Sequence, residues 1–386
     1  MQSDGSEMLS LGGILKNTAR RGIRSLPPRL RLFSDVAVGS LSDTYANWYM
    51  PAYLVRGKLP VTGNQASLIH FGQLPQYKSW VANFFSESIA TEPIGRFSLL
   101  DIAQRKGLLS DCDALICPNN PLSQLFLKAR GWFVVPKYVK CLINLQTPVD
   151  QLIRRHAAKD DLRIVRKKNY RFEVLRDDAA FDEFYHEMFV PTTRIRHEDR
   201  ANISTLEALR TVFRRGYLLA AYQGSEWVGA NLMVPQTDKL LNWANVGWRG
   251  GSEQLMKDRV VSALMYEMIL CGQREGYETL DLGSCNPFVN DGPLSYKLKW
   301  GAHMALPQIG YEEDQLQGLN SCFSVYFNLE SECARSMLNH SPILDKNDGL
   351  LRALGWNSPL RSDFKHQVEE GLPWIDLSAN TSHAIF

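Results

Sequence analysis

The side chains best suited to chemistry gather in the second half of this 386-residue chain. His197 stands in a run of charge, after Arg194 and Arg196 and before Glu198 and Asp199. An imidazole with an unperturbed pKa of about 6.5 accepts a proton at neutral pH. His197 is therefore the best single candidate for a general base, with substrate contact and simple ordering of a loop as the other readings. Arg194 and Arg196 can grip a phosphate or carboxylate through paired N–H donors, or serve only to solvate the surface. Asp281 lies between Leu280 and Leu282 in an apolar run. Burying a carboxylate there unpaired is costly, so it must face a partner or a cleft. Asn286, Asn290 and Asp291 follow in a polar loop, as turn formers or as polar groups at a cleft mouth. A Gly-x-Ser-x-Gly elbow and a catalytic-cysteine signature are both absent from the sequence.

Regular elements must hold these residues. Apolar periodicity predicts a helix beginning at Asp182 and a second from about Thr205 to Arg214, capped by Ser204 with Glu207 at its capping-box position. Three strands follow, at 217–222, 227–234 and 240–246, and their short loops force antiparallel hairpins. One helix of about 20 residues, 253–274, is then expected to end at Gly276. A strand at 279–283 opens into the polar loop, a short helix spans 294–299 to Gly301, and a last strand covers 305–309. A strand that follows such a helix is expected to pair in parallel with the strand before it. Where two parallel neighbours diverge, a ligand cleft is expected between them.

This order resembles the GNAT acyl-CoA N-acyltransferase fold, and three stretches resemble its Fem-like branch. That branch includes peptidoglycan aminoacyltransferases and acetyltransferase-like proteins of bacterial polysaccharide biosynthesis. The first stretch is Phe184-Tyr185 through Val190-Pro191 with Arg194-Ile195-Arg196-His197. The second is the junction from Gly276 to Gly283, and the third is Gly292-Pro293-Leu294-Ser295-Tyr296-Lys297-Leu298-Lys299-Trp300-Gly301. The resemblance implies an α/β fold with a mixed sheet, in two GNAT-like copies, the N-terminal one degenerate and the C-terminal one intact. It implies direct attack of an amine on an acyl donor, acyl-CoA in most of the superfamily, without a covalent enzyme intermediate. Tyr296 would then protonate the leaving group or pack, and Lys297 would contact donor phosphate. The pyrophosphate-binding loop of many such enzymes corresponds here to Gly247-Trp248-Arg249-Gly250-Gly251-Ser252, which supplies glycines and an arginine at another spacing. That departure leaves aminoacyl-tRNA open as the donor, and a catalytically inactive binding or scaffold protein as a third reading.

Composition fits two domains: 45% hydrophobic and 22% charged residues argue against disorder, and the apolar stretches are too short to span a membrane. Seven scattered cysteines without a CxxC pair argue against a disulfide framework or a zinc site, and no metal is expected. A reducing cytoplasm fits best, with Cys117, Cys141 and Cys271 as core residues. Six basic residues and no acidic one lie between Leu9 and Phe33. Such a leader is either solvated, in peripheral contact with anionic lipid at the inner face of a membrane, or in contact with a phosphorylated substrate. Expected partners are a small-molecule or lipid-linked amine acceptor, with tRNA as the alternative donor; the basic run Arg163, Arg166, Lys167, Lys168 and Arg171 reads as a contact for nucleic acid or a phospholipid-linked substrate, or as a solvated helical face. The expected division is a basic leader at 1–40, a degenerate copy at 41–175, an active copy at 176–317 and a helical extension at 318–386.

Overall fold

The computed structural model describes residues 48–73, 78–105, 107–110, 112–119, 121–155, 158–197, 203–307, 322–360 and 362–379. The basic leader lies outside them, as does the side chain of His197.

The first half runs β1 (Tyr49–Lys58), β2 (Gln65–Phe71), α1 (Lys78–Phe84), β3 (Glu87–Ser98), α2 (Leu99–Gln104), β4 (Ala114–Asn119), α3 (Pro121–Lys128) and β5 (Phe133–Pro136). A connecting stretch follows: β6 (Val139–Asn144), α4 (Val149–Arg155), α5 (Lys159–Lys168) and β7 (Tyr170–Leu175). The second half is α6 (Asp178–Glu183), a π-helical turn (Phe184–Phe189), α7 (Val190–His197), α8 (Leu206–Phe213), β8 (Tyr217–Gln223), β9 (Glu226–Thr237), β10 (Leu240–Trp248), α9 (Glu253–Lys257), α10 (Val260–Arg274), β11 (Thr279–Cys285), α11 (Gly292–Lys299) and β12 (His303–Ala305). The tail adds β13 (Cys322–Phe327), α12 (Glu332–His340), β14 (Ile343–Asn347), β15 (Leu350–Gly355), α13 (Ser362–Glu369) and β16 (Trp374–Asp376).

Two mixed sheets result, ordered β3-β1-β2-β4-β13-β5 and β12-β6-β11-β10-β9-β8-β7, with a small third sheet β14-β15-β16. Each large sheet contains one parallel pair among antiparallel neighbours: β2 with β4, and β10 with β11. Each also takes in a strand from elsewhere in the chain. β6 leaves the first half and lies between β11 and β12, and β13 leaves the tail and lies between β4 and β5. Strands β6 and β7 thus pair in the second sheet, not in the upstream unit where their sequence position suggests.

Other expectations need correction. The second helix of this half is capped by Thr205, whose hydroxyl accepts from the Ala208 N–H, and not by Ser204. The long helix breaks: α9 ends at Lys257, Arg259 takes φ 64°, and α10 starts afresh at Val260. The last strand is three residues long and pairs antiparallel with β6. The tail, expected to be a helical extension, also contributes strands β13, β14, β15 and β16. Tail residues bind both cores: Leu344, Ala353 and Phe364 pack with the second sheet, Ile343, Leu354 and Leu377 with the first.

The π-helical turn explains one glycine. A Cβ on Gly247 of β10 would lie 2.6 Å from the Phe189 backbone nitrogen and 2.7 Å from the Met188 carbonyl carbon. The widened turn rests directly on the strand, so only a residue without a side chain fits. The Thr193 hydroxyl donates to the Phe189 carbonyl at 2.8 Å, satisfying a group at the end of that turn.

Candidate active site

β10 opens a gap by its pairing. It runs parallel with β11 over three registers, Leu240↔Thr279, Leu241↔Leu280 and Asn242↔Asp281. One residue further on, its ladder with β9 slips: Trp243 opposes Met233 and Asn245 opposes Leu232, leaving Ala244 as the extra residue of a bulge. Beyond Asn242 its backbone on the β11 side has lost its partner strand. The opposite wall also deviates, since β11 leaves β6 after Asp281 and rejoins it at Ser284, with Gly283 at φ 78° between. A splayed parallel pair of this kind leaves N–H and C=O groups facing a space that a ligand can fill.

Charged side chains converge there from three elements. Asp281, only 7% exposed, accepts Lys140 Nζ of β6 at 2.9 Å and the Gly283 N–H at 2.7 Å, so each carboxylate oxygen has a partner. Lys297 of α11 is 8% exposed, and its ammonium donates to the Ser284 carbonyl at 3.2 Å. A Cβ built on Gly283 would be 3.9 Å from Lys297 Nζ and 3.9 Å from the Trp243 carbonyl oxygen, so Gly283 lies between the two. Asn286 donates to Asp291 at 3.1 Å, and Asp291 caps α11 by accepting the Leu294 N–H. Burial raises the Asp291 carboxyl above its usual range, against those hydrogen bonds and the Lys297 charge.

Tyr296 points elsewhere. Its hydroxyl is 3.4 Å from Ser262 Oγ of α10, and burial raises its pKa, so it stays protonated at neutral pH. Ser262 in turn donates to Asp161 of α5 at 2.8 Å, and the same buried carboxylate takes Lys299 at 2.8 Å and Arg259 at 3.3 Å. Asp161 therefore ties the connecting stretch to the start of α10 and the end of α11. The start of α10 itself has no side-chain cap, and a helix N-terminus exposes N–H donors suited to an anion.

The Arg249-to-Ser252 turn is built for packing. Arg249 donates to the Trp227 carbonyl at 2.8 Å and pairs with Glu183. Gly250 and Gly251 both have positive φ, and a Cβ on Gly251 would meet Ile195 Cδ1 at 2.6 Å. Ser252 caps α9. Arg194 and Arg196 are exposed on α7, with the Arg196 guanidinium 5.7 Å from the Trp248 ring centre. The structure thus brings Asp281 and Lys297 to the gap, ties Asn286 to the cap of α11, and directs Tyr296 toward α10 and Arg249 toward α6. Lys140 and Asp161 escaped the sequence reading. Lys140 alternates with buried Val139 and Cys141, a cue that its side chain faces the other side of β6, whereas Asp161 is hidden in a run of charge. Among the described residues no cluster of three or more potential metal ligands occurs, and no helix is long and apolar enough to cross a membrane.

Three antiparallel strands, a helix, a parallel strand splayed from its neighbour and a closing helix make up the second half, in the order expected from the sequence. The first half also holds one parallel pair among antiparallel neighbours, so the chain is a mixed α/β protein with two large sheets of related layout. No protein-family model and no curated protein matches it. Among solved structures it is similar to the C-terminal domain of a putative lysylphosphatidylglycerol synthetase from Agrobacterium fabrum, at 10% identity and TM-score 0.36 over 86% of this chain and 95% of that one. It is also similar to FemX, at 12% identity and TM-score 0.37 over 70% and 83%. A tandem GNAT protein from the clavulanic acid biosynthesis pathway matches at 11% identity and TM-score 0.28 over 85% and 97%. Likeness of this degree leaves the activity to be argued from the site.

Proposed function

We propose that the second copy is an N-acyltransferase that holds its acyl donor in the gap between β10 and β11 and passes the acyl group directly to an amine. The observation that carries this reading is Lys297: a buried ammonium with three donors, bonded to the Ser284 carbonyl and set against Cys285, beside an opened parallel pair. Such a group suits a donor's phosphate or carbonyl oxygen. Direct transfer needs an aligned amine, a proton acceptor and donors for the oxyanion. Backbone N–H groups around the Ala244 bulge would supply the last. Asp281, held by Lys140 and the Gly283 N–H, would fix the wall of the gap, and His197 is the proposed base. Arg194 and Arg196, exposed on α7, are the proposed acceptor contacts, and a sugar, amino acid or lipid-linked envelope precursor is the proposed amine.

Acyl-CoA is the favoured donor. The test is thermal unfolding with acetyl-CoA and longer acyl-CoAs, where ligand at 100 times its dissociation constant adds about 2.7 kcal/mol. No shift with any acyl-CoA contradicts the reading. A second reading, aminoacyl-tRNA as donor, is favoured by the exposed face of α5, where Arg163, Arg166 and Lys167 are open to solvent. It requires charged tRNA to bind with steep salt dependence.

A further inference from the structure

Cys141 of β6 and Cys285 at the end of β11 meet across the line where the two halves of the chain exchange strands. Their Sγ atoms are 3.7 Å apart, with the Cys141 thiol donating to Cys285. Both are buried, Cys141 completely and Cys285 to 4% exposure. The register pairs Cys285 with Val139 and Ser284 with Lys140, just past the irregular step after Asp281. A disulfide needs sulfurs about 2.05 Å apart, so closure requires an approach of roughly 1.7 Å. Gly283, at φ 78° in that irregular step, gives the wall a point at which to adjust.

The two thiols are not equivalent. The hydrogen bond from Cys141, with the nearby Lys297 charge, holds Cys285 below the usual thiol pKa against the effect of burial. That hydrogen bond and burial together keep Cys141 protonated. Cations beside a cysteine favour the thiolate, the form that reacts.

We propose that Cys141 and Cys285 are a redox pair that closes to an intramolecular disulfide when a peroxide reaches the gap. The Cys285 thiolate attacks one peroxide oxygen, the O–O bond breaks, and a sulfenic acid and hydroxide form. Cys141 then attacks that sulfur; its proton leaves with the sulfenic oxygen and the hydrogen already there as water, and the S–S bond forms. Two thiols and one hydrogen peroxide thus give one disulfide and two waters. The bond joins the strand from the first half to the strand that carries Asp281 and Gly283, and removes the thiolate beside Lys297. A reduced dithiol leaves that wall free to move, and a disulfide pins it. This proposal goes beyond the acyltransferase reading and does not rest on it.

The test treats the full chain with graded hydrogen peroxide, quenches, denatures, alkylates and maps peptides by mass spectrometry. The expected product is the Cys141 peptide linked to the Cys285 peptide, lost on dithiothreitol, while buried Cys117 is still alkylated. Dimedone should trap a sulfenic acid on Cys285 in the Cys141→Ser variant. The wild-type map carries the test if that variant does not fold. Both thiols staying free at a dose that oxidises Cys333 would overturn the proposal, since Cys333 is only half-buried and reports that oxidant was present. A link from Cys285 to any other cysteine would overturn it too. Neither readout uses transfer activity, so its failure and that of the acyltransferase reading are separable.

Discussion

Both large sheets carry a parallel pair three registers long, and very different side chains pack around the two pairs. In the first, β2 and β4 run parallel over Leu68↔Ala114, Ile69↔Leu115 and His70↔Ile116, again three registers. Trp80, Phe84, Phe288 and Phe323 pack in one cluster with Leu68, Ala114 and Ile116, with Trp80 and Phe288 rings 5.0 Å apart. Phe288 comes from the loop after β11, so a loop of the second half packs into the core of the first. Beside β10 and β11 in the second sheet stand Asp281, Lys140, Lys297 and Gly283. The same three-register pairing is thus packed with aromatic rings in one sheet and bordered by charge in the other. A rings-and-aliphatics filling gains burial and edge-to-face contact. A charged wall gives up part of that gain and keeps its donors available to a ligand.

The largest expected effect tests the filled side. Phe288→Ala should cost about 3–5 kcal/mol in urea unfolding, the range for a buried Phe truncation. A cost near zero would mean that the ring does not seal the first copy. Next comes the seating of β10: Gly247→Ala should cost about 1–3 kcal/mol, because its Cβ meets backbone and not a movable side chain. Unchanged stability would show that the π-helical turn yields easily.

Sharper contrast comes from paired changes. Lys297→Met should weaken acyl-CoA binding by about tenfold or more, some 1.4 kcal/mol, whereas His70→Gln should leave it unchanged. Equal effects would erase the distinction between the copies. His70 has its own signature in pH. Burial lowers its pKa from 6.5 to about 3. The unfolded chain therefore binds this proton first as pH falls, and the stability present above pH 6.5 is lost progressively toward pH 3. From pH 7.5 to 5.5 that loss is about 1.4 kcal/mol for this group, read as the difference in urea midpoints between wild type and His70→Gln. No difference would place His70 in contact with water.

The order of the second copy was legible because each of its elements is local. Short loops force β8, β9 and β10 into hairpins, Gly276 with φ 82° ends α10, and α10 carries the chain across to the parallel β11. Strand exchange was not legible, since nothing in the local pattern of β6 or β13 says which sheet will receive it. The break at Arg259 was missed for a related reason. Its left-handed conformation has no glycine or proline to announce it, and it lies beside a tertiary ion pair with Asp161, 98 positions earlier. β15 lies in a tail expected to be helical, and its burial runs exposed to buried along the strand with no two-residue alternation. At the site, Asp281 was recognisable as a carboxylate in an apolar strand. Its partner Lys140 was not, because that pair joins residues from separate halves of the chain. Arg249 had the right chemistry for phosphate, yet the fold places Glu183 and the Trp227 carbonyl against it.

The most direct test of a single open copy is hydrogen exchange measured with and without saturating acyl-CoA. Slowed exchange should appear around Trp243–Gly247 and Leu282–Cys285, with no change at Ile69–Gly72 or Leu115–Asn119. Protection at β2 and β4, or no protection at either pair, would contradict the account.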